Sequence, residues 1–177
     1  MSDSKSPEPV AVLFVCLGNI CRSTMAEGVF QSLTAPSHPL ISRIDSAGTG
    51  GYHIGSSPDS RTMSTLRSNG ITSYRHGARK FSPERDFADF QYILAMDADN
   101  LEDLLALRRR RVKQLGSEEG VGKVMLFGEF GGMGGKGRVE EIQDPYYGGE
   151  DGFTIAYEQS VRFGKAFLER LEKGELS

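Results

Sequence analysis

VLFVCLGNICRS, residues 12–23, joins a strand signal to a helix signal through one short loop. An apolar, β-branched-rich run reaches Cys16, passes through a five-residue loop, and stops at Arg22 and Ser23. The continuous apolar run from Val10 to Cys16 predicts a strand buried on both faces, the habit of a parallel sheet. Directly after it, STMAEGVFQSL puts Met25, Ala26, Val29, Phe30 and Leu33 on one helical stripe over residues 23–33. A strand end, a tight loop and a helix start therefore meet at one cysteine.

The same alternation continues outward. Residues 41–47 give a second, weaker strand, and 58–69 read as a helix with Gly70 where a helix C-terminus often ends. Residues 92–96 are a third buried strand. Asp97, Ala98, Asp99 and Asn100 then supply capping residues for a helix through Leu101, Leu104, Leu105 and Leu107. Residues 123–127 form a fourth strand, and 153–171 a long amphipathic helix through Ile155, Tyr157, Val161, Phe163, Phe167, Leu168 and Leu171. Strands alternating with helices predict an α/β fold, doubly wound about a four-stranded parallel sheet. Such sheets bind ligands beyond the carboxyl ends of their strands, which is where Cys16 falls.

The 177 residues suit one globular domain, expected over residues 10–177 behind a loose polar tail at 1–9. A net charge of −3 argues against a general nucleic-acid binder. The longest apolar run, residues 10–17, is eight residues and far too short to span a bilayer. The opening MSDSKSPEP has no hydrophobic signal region, so a cytoplasmic location is expected. The two cysteines, Cys16 and Cys21, make no disulfide framework; in a reducing compartment, thiols this close suggest chemistry or redox regulation. The glycine-rich segment at 128–137 contains Gly132-x-Gly134-x-x-Gly137, a formal dinucleotide fingerprint, but RVEEIQDP after it is too short and proline-terminated for the required helix. A flexible surface connection is the expectation there.

A cysteine between a strand end and a helix start sits at the positive pole of the helix. Backbone N–H groups from Leu17 to Arg22 can wrap into an anion-binding nest. Gly18 eases the curl, and Asn19 is among the few residues that tolerate positive φ. Arg22 brings a planar fork of donors matched to two phosphate oxygens. The same surroundings favour thiolate over thiol, with Ser23 placed to donate to it. A buried inert cysteine is the alternative; the strand–loop–helix context favours the nucleophile.

VLFVCLGNICRSTMAEGVF, together with DPYYGG at 144–149, SAGTGGYHIG and YILAMD, resembles the low-molecular-weight protein tyrosine phosphatases over most of the chain. The resemblance implies a three-layer, flavodoxin-like α/β fold. It also implies hydrolysis of phosphotyrosine proteins and small aryl phosphates, with acid phosphatase activity and inorganic phosphate as product, by a monomer. Catalysis would run through a phosphocysteine at Cys16, with Arg22 and the loop amides holding the oxygens and Asp144 as acid and then base. No cofactor and no metal are implied. Leu17, Gly18, Asn19, Ile20, Cys21, Ser23, Tyr52, His53, Tyr146 and Tyr147 correspond to the substrate-binding surroundings, and Ser46 and His76 to loop support. Cys21 is either a small hydrophobe closing the loop or, by the resemblance, a redox guard that pairs reversibly with Cys16.

The run Arg108 to Arg111 ends a predicted helix, as a solvated basic terminus or a docking patch for acidic partners. Thr24 departs from the proline common in the family, and the long 108–143 segment bears on how Asp144 is presented. Three rivals remain. An arsenate reductase needs later thiols, and no cysteine follows Cys21. An arginine phosphatase carries a small polar residue where this chain has Ile20. A non-catalytic phosphate-binding module would lack the nucleophile or the acid.

Overall fold

A computed structural model describes residues 8–135, 139–147, 149 and 151–176, without the side chains of 132–135 and 147. Strand β1 (Val10–Cys16) leads into helix α1 (Arg22–Leu33), then β2 (Ile41–Gly48) and α2 (Ser60–Ser68). Helix α3 (Pro83–Asp89), β3 (Tyr92–Ala95), α4 (Ala98–Leu115), β4 (Lys123–Leu126) and α5 (Gly152–Glu172) follow. The four strands form one sheet in the order β2-β1-β3-β4, with every pairing parallel.

The unbroken apolar run of β1 follows from its central place. Val12, Phe14 and Cys16 point into one core layer with Ala26, Phe30, Phe163 and Phe167 of α1 and α5. Ala11, Leu13 and Val15 alternate to the opposite layer, against Phe81, Phe87, Phe90 and Leu104 around α3 and α4. Each buried Val, Leu or Phe side chain among them contributes about 1.5–3 kcal/mol by leaving water. The first layer is aromatic: Phe14 meets Phe30 and Phe127 edge-on, with centroids 5.5 and 5.1 Å apart.

From β1 the chain moves to β2 on one side and then returns to β3 on the other. That reversal opens a crevice at the carboxyl end of β1, and Cys16 is its last residue. Gly48 ends β2 beside it, paired with Cys16. A Cβ at Gly48 would lie 2.7 Å from the Leu17 carbonyl oxygen and 3.2 Å from Asn19, so only glycine lets the loop pass so closely.

Four expectations need correction. Helix α3 is absent from the pattern read above, although Ser82 with Pro83 at the helix start and Glu84 behind it is a start signal. Helix α1 is buried all along Arg22 to Phe30, not on a stripe alone, because it lies between the sheet, α5 and α2. Helix α4 continues past the arginine run to Leu115 and stops at Gly116, which takes a left-handed φ of 75°. Arg108 is a strut within it: Nε and Nη2 donate to the carbonyls of Gly122 and Val121 at 2.8 and 3.2 Å. Finally, Phe127–Gly135 is a 3₁₀ stretch that buries Phe127 and Phe130 in the core, not a loose connection. A Cβ at Gly128 would overlap the Glu140 carbonyl at 1.6 Å, so the glycine lets two segments cross. Residues 136–138 of the glycine-rich segment, and 1–7 of the tail, lie outside the described residues. Among the described residues no helix is long and apolar enough to cross a membrane.

Candidate active site

The loop after Cys16 is held by its carbonyls. The Cys16 oxygen accepts from Thr49 N–H at 3.0 Å, Leu17 from Gly50 at 2.9 Å, Ile20 from Asp59 at 2.8 Å and Cys21 from Met25 at 3.0 Å. In a trans peptide N–H and C=O point oppositely. The amides of Leu17, Gly18, Cys21 and Arg22 therefore point away from those donors, as an anion-binding nest requires. Asn19 takes φ 58° and donates its own N–H to Cys16 Sγ at 3.2 Å. Thr24 donates its hydroxyl to the Cys21 carbonyl at 3.0 Å. The helix starts at Arg22.

Below the loop runs a network in which one backbone group fixes the orientation of the Asn19 amide. Arg79 N–H can only donate, so its partner 3.0 Å away is Asn19 Oδ1. Asn19 Nδ2 consequently donates to Ser23 Oγ at 2.8 Å and Ser46 Oγ at 2.9 Å. Ser23 Oγ lies 3.0 Å from Cys16 Sγ and is the donor when that sulfur is a thiolate, and Ser46 donates to Glu27 Oε1 at 2.6 Å. His76 Nε2 donates to Asn19 Oδ1 at 2.7 Å, while its Nδ1 faces Glu27 Oε1 at 3.4 Å and Asp45 Oδ1 at 3.7 Å. Burial pushes the Glu27 carboxyl up to about 7, against the bonds from Ser46 and Tyr74. Burial also lowers the His76 pKa, against the pull of Asp45.

Ser46 is the joint of this network and is fully buried. Ser46→Ala leaves one Asn19 N–H unpaired and takes one of two hydroxyl donors from Glu27 Oε1, which keeps Tyr74, at an expected cost of about 1–3 kcal/mol. Calorimetry should show Tm falling by about 3–10 °C. An unchanged Tm would mean that Asn19 is held without it.

Arg22 is 6% exposed. Its Nη1 donates to Asp97 Oδ2 at 2.5 Å and to the Ile142 carbonyl at 3.1 Å. Burial works to lower the Arg22 pKa, but the charges of Cys16 and Asp97 outweigh it and hold it above the ordinary value. Asp97 serves twice, since its other oxygen caps α4 by accepting from Asn100 N–H at 2.8 Å. The Ile142 contact ties Arg22 to the approach of the segment carrying Asp144. Asp144 itself accepts from Tyr146 N–H at 3.0 Å.

A cavity of about 410 Å³ opens above the loop, lined by Cys16, Leu17, Gly18, Ile20, Cys21, Arg22, Tyr52, His53, Asp144 and Tyr146. The nucleophile, arginine and acid expected from sequence are thereby brought together with the walls. Asn19, Ser23, Ser46 and His76 lie beneath the cavity, so Asn19 and Ser23 support the loop and do not line the cavity. The Tyr147 side chain lies outside the described residues. Cys16 and Cys21 are not joined in a disulfide. Burial, then the charges of Asp59, Asp144 and Cys16, push the Cys21 thiol up to about 12, so it stays protonated at neutral pH. The sequence reading missed Glu27, Tyr74 and Arg61, and it saw Asp97 only as a cap.

A thiol at a strand end, inside a nest of amides and beside a buried arginine and a carboxylate, defines a site for phosphoryl transfer through cysteine. The family model for low molecular weight phosphotyrosine protein phosphatase matches residues 11–175. The Schizosaccharomyces pombe low molecular weight phosphotyrosine protein phosphatase is 48% identical over 165 residues, 92% of this chain and 97% of that protein. A protein tyrosine phosphatase structure from Entamoeba histolytica superposes with TM-score 0.79 at 35% identity, covering 94% of this chain and 99% of that one. The structure of a Drosophila arginine phosphatase is also similar, with TM-score 0.76 and 34% identity over 91% of this chain and 97% of that one. The chain belongs to the low molecular weight phosphotyrosine protein phosphatase family.

Proposed function

We propose that this phosphotyrosine phosphatase works through Cys16, Arg22 and Asp144. The observation that carries the assignment is the hydrogen-bond chain that ends with Ser23 Oγ on Cys16 Sγ, at a cavity also lined by Arg22 and Asp144. Cys16 attacks phosphorus in line and the phenolate leaves, protonated by Asp144. The loop amides and Arg22 take up the charge on the equatorial oxygens. Asp144 then draws a proton from water as it hydrolyses the phosphocysteine, releasing inorganic phosphate.

Leu17, Ile20, Tyr52 and Tyr146 give the cavity flat apolar walls that suit a phenyl ring, so small aryl phosphates are substrates as well. The Drosophila arginine phosphatase similarity supports a second reading, in which the scissile bond is phosphorus–nitrogen. Hydrolysis of phosphotyrosine and phosphoarginine, measured side by side with EDTA present, separates them; the apolar walls favour phosphotyrosine. Asp144→Asn tests the acid. With phenyl phosphate kcat/KM should fall about 10²–10⁴-fold, the range of general acid catalysis, and far less with 4-nitrophenyl phosphate. Equal losses on both would remove Asp144 from that role.

A further inference from the structure

Arg61 sits in the first turn of α2, where the helix dipole disfavours a cation. Its guanidinium is nonetheless gripped: Nε and Nη2 donate to the two oxygens of Asp59, each at 3.0 Å. The guanidinium carbon lies 5.1 Å over the Tyr146 ring and 4.7 Å over the Phe153 ring. Asp59 in turn donates its backbone N–H to the Ile20 carbonyl, inside the nucleophile loop. Tyr146 donates its N–H to Asp144. One chain of contacts thus runs from the loop of Cys16 through Asp59, Arg61 and Tyr146 to the acid.

We propose that Arg61 is a positioning residue for Asp144, holding the acid segment against the nucleophile loop through Tyr146. An ordinary exposed ion pair would contribute little and move nothing at the site. Here the cation also stacks on two aromatic faces, one on the acid segment and one at the start of α5. The proposal rests on Asp144 being the leaving-group acid. It adds that the acid's reach depends on a side chain outside the cavity.

The test is kcat/KM for a series of aryl phosphates, from 4-nitrophenyl to phenyl to 4-methylphenyl, with wild type, Arg61→Ala, Arg61→Lys and Asp144→Asn. A misplaced acid hurts most where the leaving phenolate is most basic. Arg61→Ala should lose a few-fold on 4-nitrophenyl phosphate and about tenfold or more on phenyl phosphate, a fraction of the full general-acid effect. Arg61→Lys keeps the charge for Asp59 but not the planar stack, and should fall between. A thermal unfolding midpoint close to wild type shows that the fold is intact. A uniform loss across the series in Arg61→Ala, or none, while Asp144→Asn shows the steep dependence, overturns the positioning role alone. A flat series in Asp144→Asn overturns the acid assignment and this inference with it.

Discussion

Cys16→Ser loses essentially all hydrolysis of aryl phosphates, with kcat falling at least about 10⁴-fold, or roughly 5.5 kcal/mol of barrier. The surroundings suit negative charge on sulfur: Asn19 N–H donates to Sγ, and the Ser23 hydroxyl, 3.0 Å away, can donate to a thiolate there. A serine hydroxyl in the same place keeps its proton, because its neighbours are donors and no base is in contact to take it. Phosphate binding survives, since the loop amides and Arg22 remain. The check is kcat beside the inhibition constant for inorganic phosphate. Lost turnover with retained phosphate binding is expected; full activity would mean that another group attacks phosphorus.

Arg22→Lys is nearly as damaging, although it conserves charge. The guanidinium is a fixed planar fork, and one arm is already bonded to Asp97 and the Ile142 carbonyl. Lysine offers a point charge that Asp97 captures, and it cannot present paired donors to two phosphoryl oxygens. Transition-state charge is then poorly met, and kcat/KM should fall about 10²–10³-fold, the scale of losing one preorganised donor. Both kcat and the affinity for phosphate should drop, because the same oxygens are held in ground and transition states. A variant that loses only affinity would place Arg22 in binding and not in catalysis.

Much of this architecture could be read from residue order. Strand β1 was legible because a central parallel strand is apolar on both faces, and Asn19 because few residues accept its φ of 58°. Asp97 was legible as a cap, but not as the partner of Arg22, since 75 residues separate them and only the β1–β3 pairing joins them. Glu27 was invisible for a different reason. On helix α1 it looks like any surface acid, and only the approach of β2 and His76 makes it a buried acceptor for Ser46 and Tyr74. The roles of Ser46 and His76 came from resemblance, because nothing local marks them. Helix α3 is seven residues long, so its start signal lacked a periodic stripe behind it. The glycine-rich stretch misled because Phe127 and Phe130, which anchor it in the core, are too few to show a period.

The central claim is a covalent phosphoryl group on Cys16. Rapid acid quench of the protein during turnover of 4-nitrophenyl phosphate, followed by peptide mass mapping, tests it most directly. The account predicts one phosphoryl group on the peptide holding Cys16, absent from Cys16→Ser, and accumulating further in Asp144→Asn if that change slows hydrolysis of the intermediate. Turnover without any phosphopeptide containing Cys16, or with the phosphoryl group on another residue, would contradict it.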